Sequence, residues 1–114
     1  MKLYSYSRCS TCRKALTWLG SRGLVAEVID ITEQPPSPEE LGQALAQLGR
    51  QRLFNTSGQS YRALGAAAVQ ALDDRAALEA LAADGKLIKR PFLITDDGRI
   101  VTGFKEPEWL ELLG

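Results

Sequence analysis

Apolar residues Ala15, Leu16, Trp18 and Leu19 recur at helical spacing between Thr11 and Arg22, and Gly20 and Gly23 mark where that pattern stops. Ahead of it, Lys2 to Tyr6 alternates and is rich in aromatic residues, which predicts a short strand, with Ser7 to Ser10 as a turn. Behind it, Val25 to Ile31 is β-branched and apolar and predicts a second strand. A strand, a helix and a strand within about 30 residues form a βαβ unit, whose two strands must run parallel.

The next pattern is a helix start. Ser37 is placed as an N-cap, Pro38 at the first helical position and Glu40 three residues past the cap. That helix should run to about Leu48 and stop at Gly49. Arg50 to Gly65 reads as irregular, with one short helical turn around Tyr61 to Leu64. Asp73 or Asp74 caps a further helix that runs to about Ala83 and ends near Gly85. Arg90 to Thr95 predicts a third strand, Asp97-Gly98 a hairpin turn, and Arg99 to Gly103 a fourth strand antiparallel to the third. Glu106 to Leu113 closes the chain as a helix that tolerates Pro107 in its first turn. The order is β-α-β, then helices, then β-β-α. No repeat, linker or low-complexity run interrupts it.

The length of 114 residues fits one domain, residues 1–114, and the 45% apolar and 25% charged fractions are those of a globular chain. Fourteen basic and fourteen acidic residues give zero net charge, which argues against direct nucleic-acid binding. No segment approaches the roughly 20 apolar residues of a membrane span, and the N-terminus has no signal-peptide run. The expectation is a cytoplasmic protein whose thiols rest reduced.

The chain contains no histidine. Ser-His-Asp and Cys-His catalysis, histidine-ligated metals and a histidine pH switch are thereby excluded. Two cysteines, Cys9 and Cys12, cannot complete a four-thiolate zinc site in one chain, so no metal site is expected.

Cys9-Ser10-Thr11-Cys12 falls where the first strand gives way to the first helix. Unpaired backbone N–H groups and the positive end of the helix dipole meet there. A thiolate at Cys9 would accept hydrogen bonds from those groups, and its pKa should fall below the free value of roughly 8.5. Cys12, one turn further on, is placed to attack a mixed disulfide at Cys9. The surrounding charge favours the same chemistry: residues 1–26 hold Lys2, Arg8, Arg13, Lys14 and Arg22 and no acid. By itself the pair could also be two small buried residues or half of a zinc site shared between chains. Trp18 and Trp109 read as core. Lys89-Arg90-Pro91 opens the third strand and forms a second cluster of interest.

Several segments together carry a resemblance. They are Tyr4-Ser5-Tyr6 followed by Cys9-Ser10-Thr11-Cys12-Arg13-Lys14-Ala15, Leu53-Phe54-Asn55-Thr56-Ser57-Gly58, Tyr61-Arg62, Lys89-Arg90-Pro91 and Gly103-Phe104. The chain resembles the arsenate reductase-like (ArsC) family, with its Spx, MgsR and YffB relatives, in the thioredoxin-like superfamily. The resemblance implies an α/β thioredoxin-like fold: a four-stranded mixed sheet with an inserted helical subdomain at roughly residues 38–86. It also implies a cis bond before Pro91, facing the cysteine, with Arg90 aimed at the Cys9 pocket.

Function follows the resemblance along three branches. In the first, Cys9 is the nucleophile and Cys12 the resolving thiol of a thiol–disulfide oxidoreductase. Ser10, Thr11, Arg13, Arg90 and Pro91 bind an anion or thiol ligand, and a low-molecular-weight thiol, thioredoxin or glutaredoxin is the partner. In the second, the Cys9–Cys12 disulfide switches an Spx-like regulator. That regulator docks on the C-terminal domain of the RNA polymerase alpha subunit, near Gly49, Arg50 and Arg52. In the third, the protein reduces arsenate with glutathione as co-substrate and glutaredoxin. Family arsenate reductases grip the oxyanion with three arginines. Arg90 matches one of these; the other two positions align with Asn55 and Gly103, leaving Arg52 and Arg62 as stand-ins.

Overall fold

A computed structural model describes residues 1–114. The strands are β1 (Lys2–Ser5), β2 (Glu27–Asp30), β3 (Phe92–Ile94) and β4 (Ile100–Thr102). The helices are α1 (Ser10–Ser21), α2 (Pro38–Leu48), α3 (Gln59–Leu64), α4 (Ala66–Ala71), α5 (Asp74–Ala83) and α6 (Glu106–Leu113). Short 3-10 turns at Arg50–Arg52 and Gly85–Leu87 complete the set.

The four strands form one sheet in the order β2-β1-β3-β4. β1 and β2 are parallel, and β1–β3 and β3–β4 are antiparallel, giving the mixed sheet of a thioredoxin-like fold. Register explains the layering. Leu3, Leu93 and Val101 are aligned partners across three strands and point to one face, where Ala15 and Leu19 of α1 and Trp109 of α6 pack on them. Tyr4, Phe92 and Ile100 lie on the opposite face, against Leu41 and Ala44 of α2 and Ala77 and Leu81 of α5. Each strand thus contributes alternate residues to two separate cores.

Local signals built the helix ends. Ser37 accepts from the Glu40 N–H at 3.1 Å and Glu40 accepts from the Ser37 N–H at 3.0 Å, so the expected capping box is present. The Glu40 carboxylate also takes a 2.7 Å bond from the Tyr4 hydroxyl, tying α2 to β1. Asp73 caps α5 through the Ala76 N–H. α4 was not foreseen. Its sequence, Ala66 to Ala71, carries only Val69 as a buried anchor, too little for an apolar stripe.

The β3–β4 turn differs in detail from the expected two-residue form. The Gly98 N–H bonds to the Thr95 carbonyl and Gly98 has φ +83°, while the Thr95 N–H meets the Arg99 carbonyl at 2.9 Å. This is a three-residue loop with a left-handed glycine at its end. Gly85 answers a steric need of another kind: a Cβ there would stand 1.8 Å from the Ile31 carbonyl oxygen. No helix is long and apolar enough to cross a membrane.

Candidate functional site

Cys9 is the N-cap of α1, with φ −98° and ψ 115°. Its Sγ accepts a hydrogen bond from the Cys12 N–H at 3.3 Å, and its own N–H donates to the Tyr6 carbonyl at 3.0 Å. The first turn of α1 contains no acid. Cys9 is half-buried, whereas Cys12 is fully buried; both are free thiols.

The two sulfurs are unequal. Partial burial pushes the Cys9 thiol up, but the hydrogen bonds from the Cys12 side chain and backbone and the nearby Arg90 guanidinium outweigh it. The Cys9 pKa therefore lies below its ordinary value. On Cys12 burial is the largest influence, and the hydrogen bond and charge of Cys9 push the same way, so its pKa rises to about 11 despite smaller help from Tyr6 and Ser5. The result is one thiol disposed to ionise beside one that stays protonated.

Arg90 is held in place by its neighbours. Its guanidinium carbon lies 5.1 Å from the centroid of the Tyr6 ring and Nη1 donates to the Lys86 carbonyl at 3.3 Å. The Arg90–Pro91 bond is cis, as the resemblance implied. The Pro91 carbonyl accepts from the Gly103 N–H at 2.9 Å, fixing β3 to the segment that follows β4.

Cys9 opens into a cleft of about 540 Å³ built from distant segments. Arg8, Ser10 and Thr11 come from the start of α1, Arg52 from the first 3-10 turn, Asn55, Ser57 and Gly58 from the loop before α3, and Lys89 and Arg90 from the approach to β3. Thr102, Gly103, Phe104 and Lys105 close it. Five of these residues are cations and none is an acid, so the cleft favours anionic ligands. A larger groove of about 910 Å³ runs along β2 and α2, but it is lined by Glu27, Asp30, Glu39 and Glu40 and contains neither cysteine.

The structure sorts the residues singled out in the sequence. Ser10, Thr11 and Arg90 share the cleft with Cys9. Arg13 does not: its Nη1 donates to the Ser7 carbonyl at 2.8 Å, closing the turn before α1. Pro91 is buried and does not line the cleft. Of the two stand-in arginines, Arg52 lines the cleft; Arg62 instead donates to the Ser57 carbonyl at 2.6 Å. Arg50 is a structural cation, bonded to the Leu72 and Val69 carbonyls at 2.7 and 2.8 Å. Asn55 and Gly103, the positions aligned with family arginines, both reach the cleft. Gly103 has φ +72°, and the Lys89 stem lies 3.2 Å from where its Cβ would stand, so an arginine there would be strained and crowded. Lys105 escaped the sequence reading. Its only signal was a basic residue directly after Gly103-Phe104.

The ArsC family profile matches residues 4–112. This chain belongs to the ArsC family. It is 43% identical over 114 residues to the uncharacterized protein YusI of Bacillus subtilis, covering 97% of this chain and 96% of YusI. It is 31% identical over 108 residues to the global transcriptional regulator Spx of Streptococcus agalactiae, covering 93% of this chain and 77% of Spx. The crystal structure of a possible arsenate reductase from Streptococcus mutans superposes with a TM-score of 0.87 at 40% identity, covering 96% of each chain. ArsC members thus include proteins described as reductases and as regulators, and the family alone does not choose between them.

Proposed function

We propose that this ArsC-family chain is a cytoplasmic thiol–disulfide oxidoreductase, with Cys9 as nucleophile and Cys12 as resolving thiol. The observation that carries the reading is the unequal pair at the start of α1: a half-exposed Cys9 sulfur held by the Cys12 N–H and facing Arg90, with a buried Cys12 one turn away.

The Cys9 thiolate attacks one sulfur of a disulfide substrate. A Cys9–substrate bond forms, the substrate S–S bond breaks, and the other half leaves as a thiolate stabilised by the cations of the cleft. That step removes the charge on Cys9, and with it two of the causes that hold the Cys12 pKa at about 11. Cys12 is then easier to deprotonate. It attacks the Cys9 sulfur, its proton passes to the departing thiolate, and the second half of the substrate is released. Two electrons have moved from the protein to the substrate, leaving a Cys9–Cys12 disulfide. A low-molecular-weight thiol, thioredoxin or glutaredoxin restores the pair. Ser10 and Thr11 supply donors at the mouth of the cleft.

The test is mass spectrometry after mild peroxide and after turnover of a disulfide substrate. A loss of two hydrogens confined to Cys9 and Cys12, and a mixed disulfide trapped on Cys9 in Cys12→Ser, are expected. An inert pair would overturn the reading.

A second reading draws on the similarity to Spx: the same disulfide would gate docking on the C-terminal domain of the RNA polymerase alpha subunit. Pull-down with reduced and oxidised protein tests it, and equal absence of binding removes it. Arsenate reduction has less support, because Arg90 is the only one of the three family arginines present at its own position.

A further inference from the structure

The two edges of the sheet are finished differently. On the β4 side, the Ile100 N–H donates to the Gln47 side chain at 2.9 Å, and the Thr102 carbonyl accepts from Arg52 at 2.8 Å. Side chains thus close that edge. On the β2 side, the Glu27 and Ile31 N–H groups donate to the Met1 and Ser5 carbonyls at 2.8 and 2.9 Å. Alternate residues of a paired parallel strand turn their N–H and C=O to the same neighbour. Val28 and Asp30 therefore face away from β1. The Asp30 carbonyl is taken by the Glu33 and Gln34 N–H groups at 3.1 and 2.9 Å. The N–H and C=O of Val28 face no further strand, because β2 ends the sheet.

The surroundings of that open rung describe its occupant. Val25 and Val28 are 86% and 53% exposed, the two most exposed of the large apolar side chains. The stretch from Glu27 to Glu40 holds five acids and no base. Glu27, Glu33 and Glu39 are exposed and form no ion pair, and the Asp30 carboxylate accepts only from Thr32. Lys2, the one cation of the adjoining groove, is spent on Glu40 at 3.2 Å. A second copy of the chain fits poorly. Pairing β2 with β2 would gather two Glu27 and two Asp30 carboxylates in one short ladder with no cation between them. The edge resists its own kind and attracts the opposite charge.

We propose that the β2 edge is a docking site for an extended basic segment of another protein, which joins the sheet as an added strand. The backbone of that segment pairs with the N–H and C=O of Val28. Its side chains then alternate between the two faces of the sheet. Glu27 and Ile29 are the register partners of Lys2 and Tyr4 and share the α2 face with Tyr4. A lysine or arginine on that face enters the groove of about 910 Å³ and meets Glu27 and Glu39. Val28 is the partner of Leu3 and lies on the α1 face, where an apolar side chain of the segment covers it. The recognised pattern is therefore an alternation of basic and apolar residues. β2 is four residues long, so the complex is small and transient. The groove contains neither cysteine, and the docking does not depend on the chemistry of Cys9.

The experiment titrates a capped peptide of four Lys-Val repeats into the reduced full chain and follows backbone amides by nuclear magnetic resonance. Hydrogen exchange at the Val28 amide should slow on binding, while the Ile29 amide, already paired with β1, changes little. N-methylating every residue of the peptide keeps its charge and removes its strand hydrogen bonds, and should weaken binding about tenfold. Glu27→Gln and Glu39→Gln should each weaken the Lys-Val peptide by up to about fivefold, the scale of an exposed ion pair, and added salt should act in the same direction. Val28→Pro removes the outward donor and leaves the ladder to β1 intact, and should weaken binding about fivefold. Equal binding of the N-methylated peptide would reduce the site to a patch of negative charge and overturn the proposal. So would a Glu-Val peptide that binds as tightly, or Lys-Val binding that leaves Val28 exchange unchanged, even if Val28→Pro fails to fold. Sedimentation showing a peptide-free dimer that Val28→Pro dissolves would assign the edge to a second copy and overturn the proposal as well.

Discussion

Replacing Cys12 by alanine isolates the strongest support of the Cys9 thiolate. The hydrogen bond from the Cys12 side chain leads the influences that lower the Cys9 pKa, ahead of its backbone N–H and of Arg90. Alanine removes that S–H donor and keeps the N–H that meets Cys9 Sγ at 3.3 Å. A hydrogen bond to a charged group contributes about 1.5–3 kcal/mol, and a half-open site with a sulfur donor belongs at the low end. That is a factor of about ten in the Cys9 ionisation constant. Well below the pKa, the thiolate population falls about tenfold, but each thiolate becomes about threefold more nucleophilic as its basicity rises. Alkylation by iodoacetamide should therefore slow about threefold at low pH and quicken about threefold at high pH, so the two rate profiles cross. Cys12→Ser restores a donor and should lie close to the parent. Thiolate absorbance in the ultraviolet, followed against pH, gives the ionisation directly. Cys12→Ala and Cys12→Ser profiles that coincide would refute the reasoning, since burial and cavity effects would then explain the change without the hydrogen bond.

Two further outcomes concern stability. The Cys12 thiol stays protonated up to about 11, while an unfolded cysteine ionises near about 8.5. The stability this difference supplies is whole below about 8.5 and drains away as pH rises toward 11. Urea titrations of reduced parent and Cys12→Ala should converge across that window, and parallel curves would contradict it. Gly85→Ala puts a methyl 1.8 Å from the Ile31 carbonyl oxygen, so backbone must move. A loss of at least about 3 kcal/mol in urea denaturation is expected, and a midpoint close to the parent would show that the contact relaxes freely.

The sequence alone determined much of what neighbours along the chain carry. Ser37, Pro38 and Glu40 lie within one helical turn, so their capping box was legible from spacing. The placement of Cys9 at the start of α1 was legible for the same reason, as was the alternation that sends Leu3 and Tyr4 to opposite faces. Even α4 was lost for a local reason, because an alanine run has no stripe to read. Tertiary structure decided which cations share the cleft with Cys9. Arg13 is four residues away and turns to the Ser7 carbonyl, whereas Arg52, Arg90 and Lys105 arrive from distant segments. It also decided that Arg52 meets Glu108, 56 residues on. Strand order and helix packing bring those side chains together, and no periodicity encodes a contact between residues that are neighbours only in space.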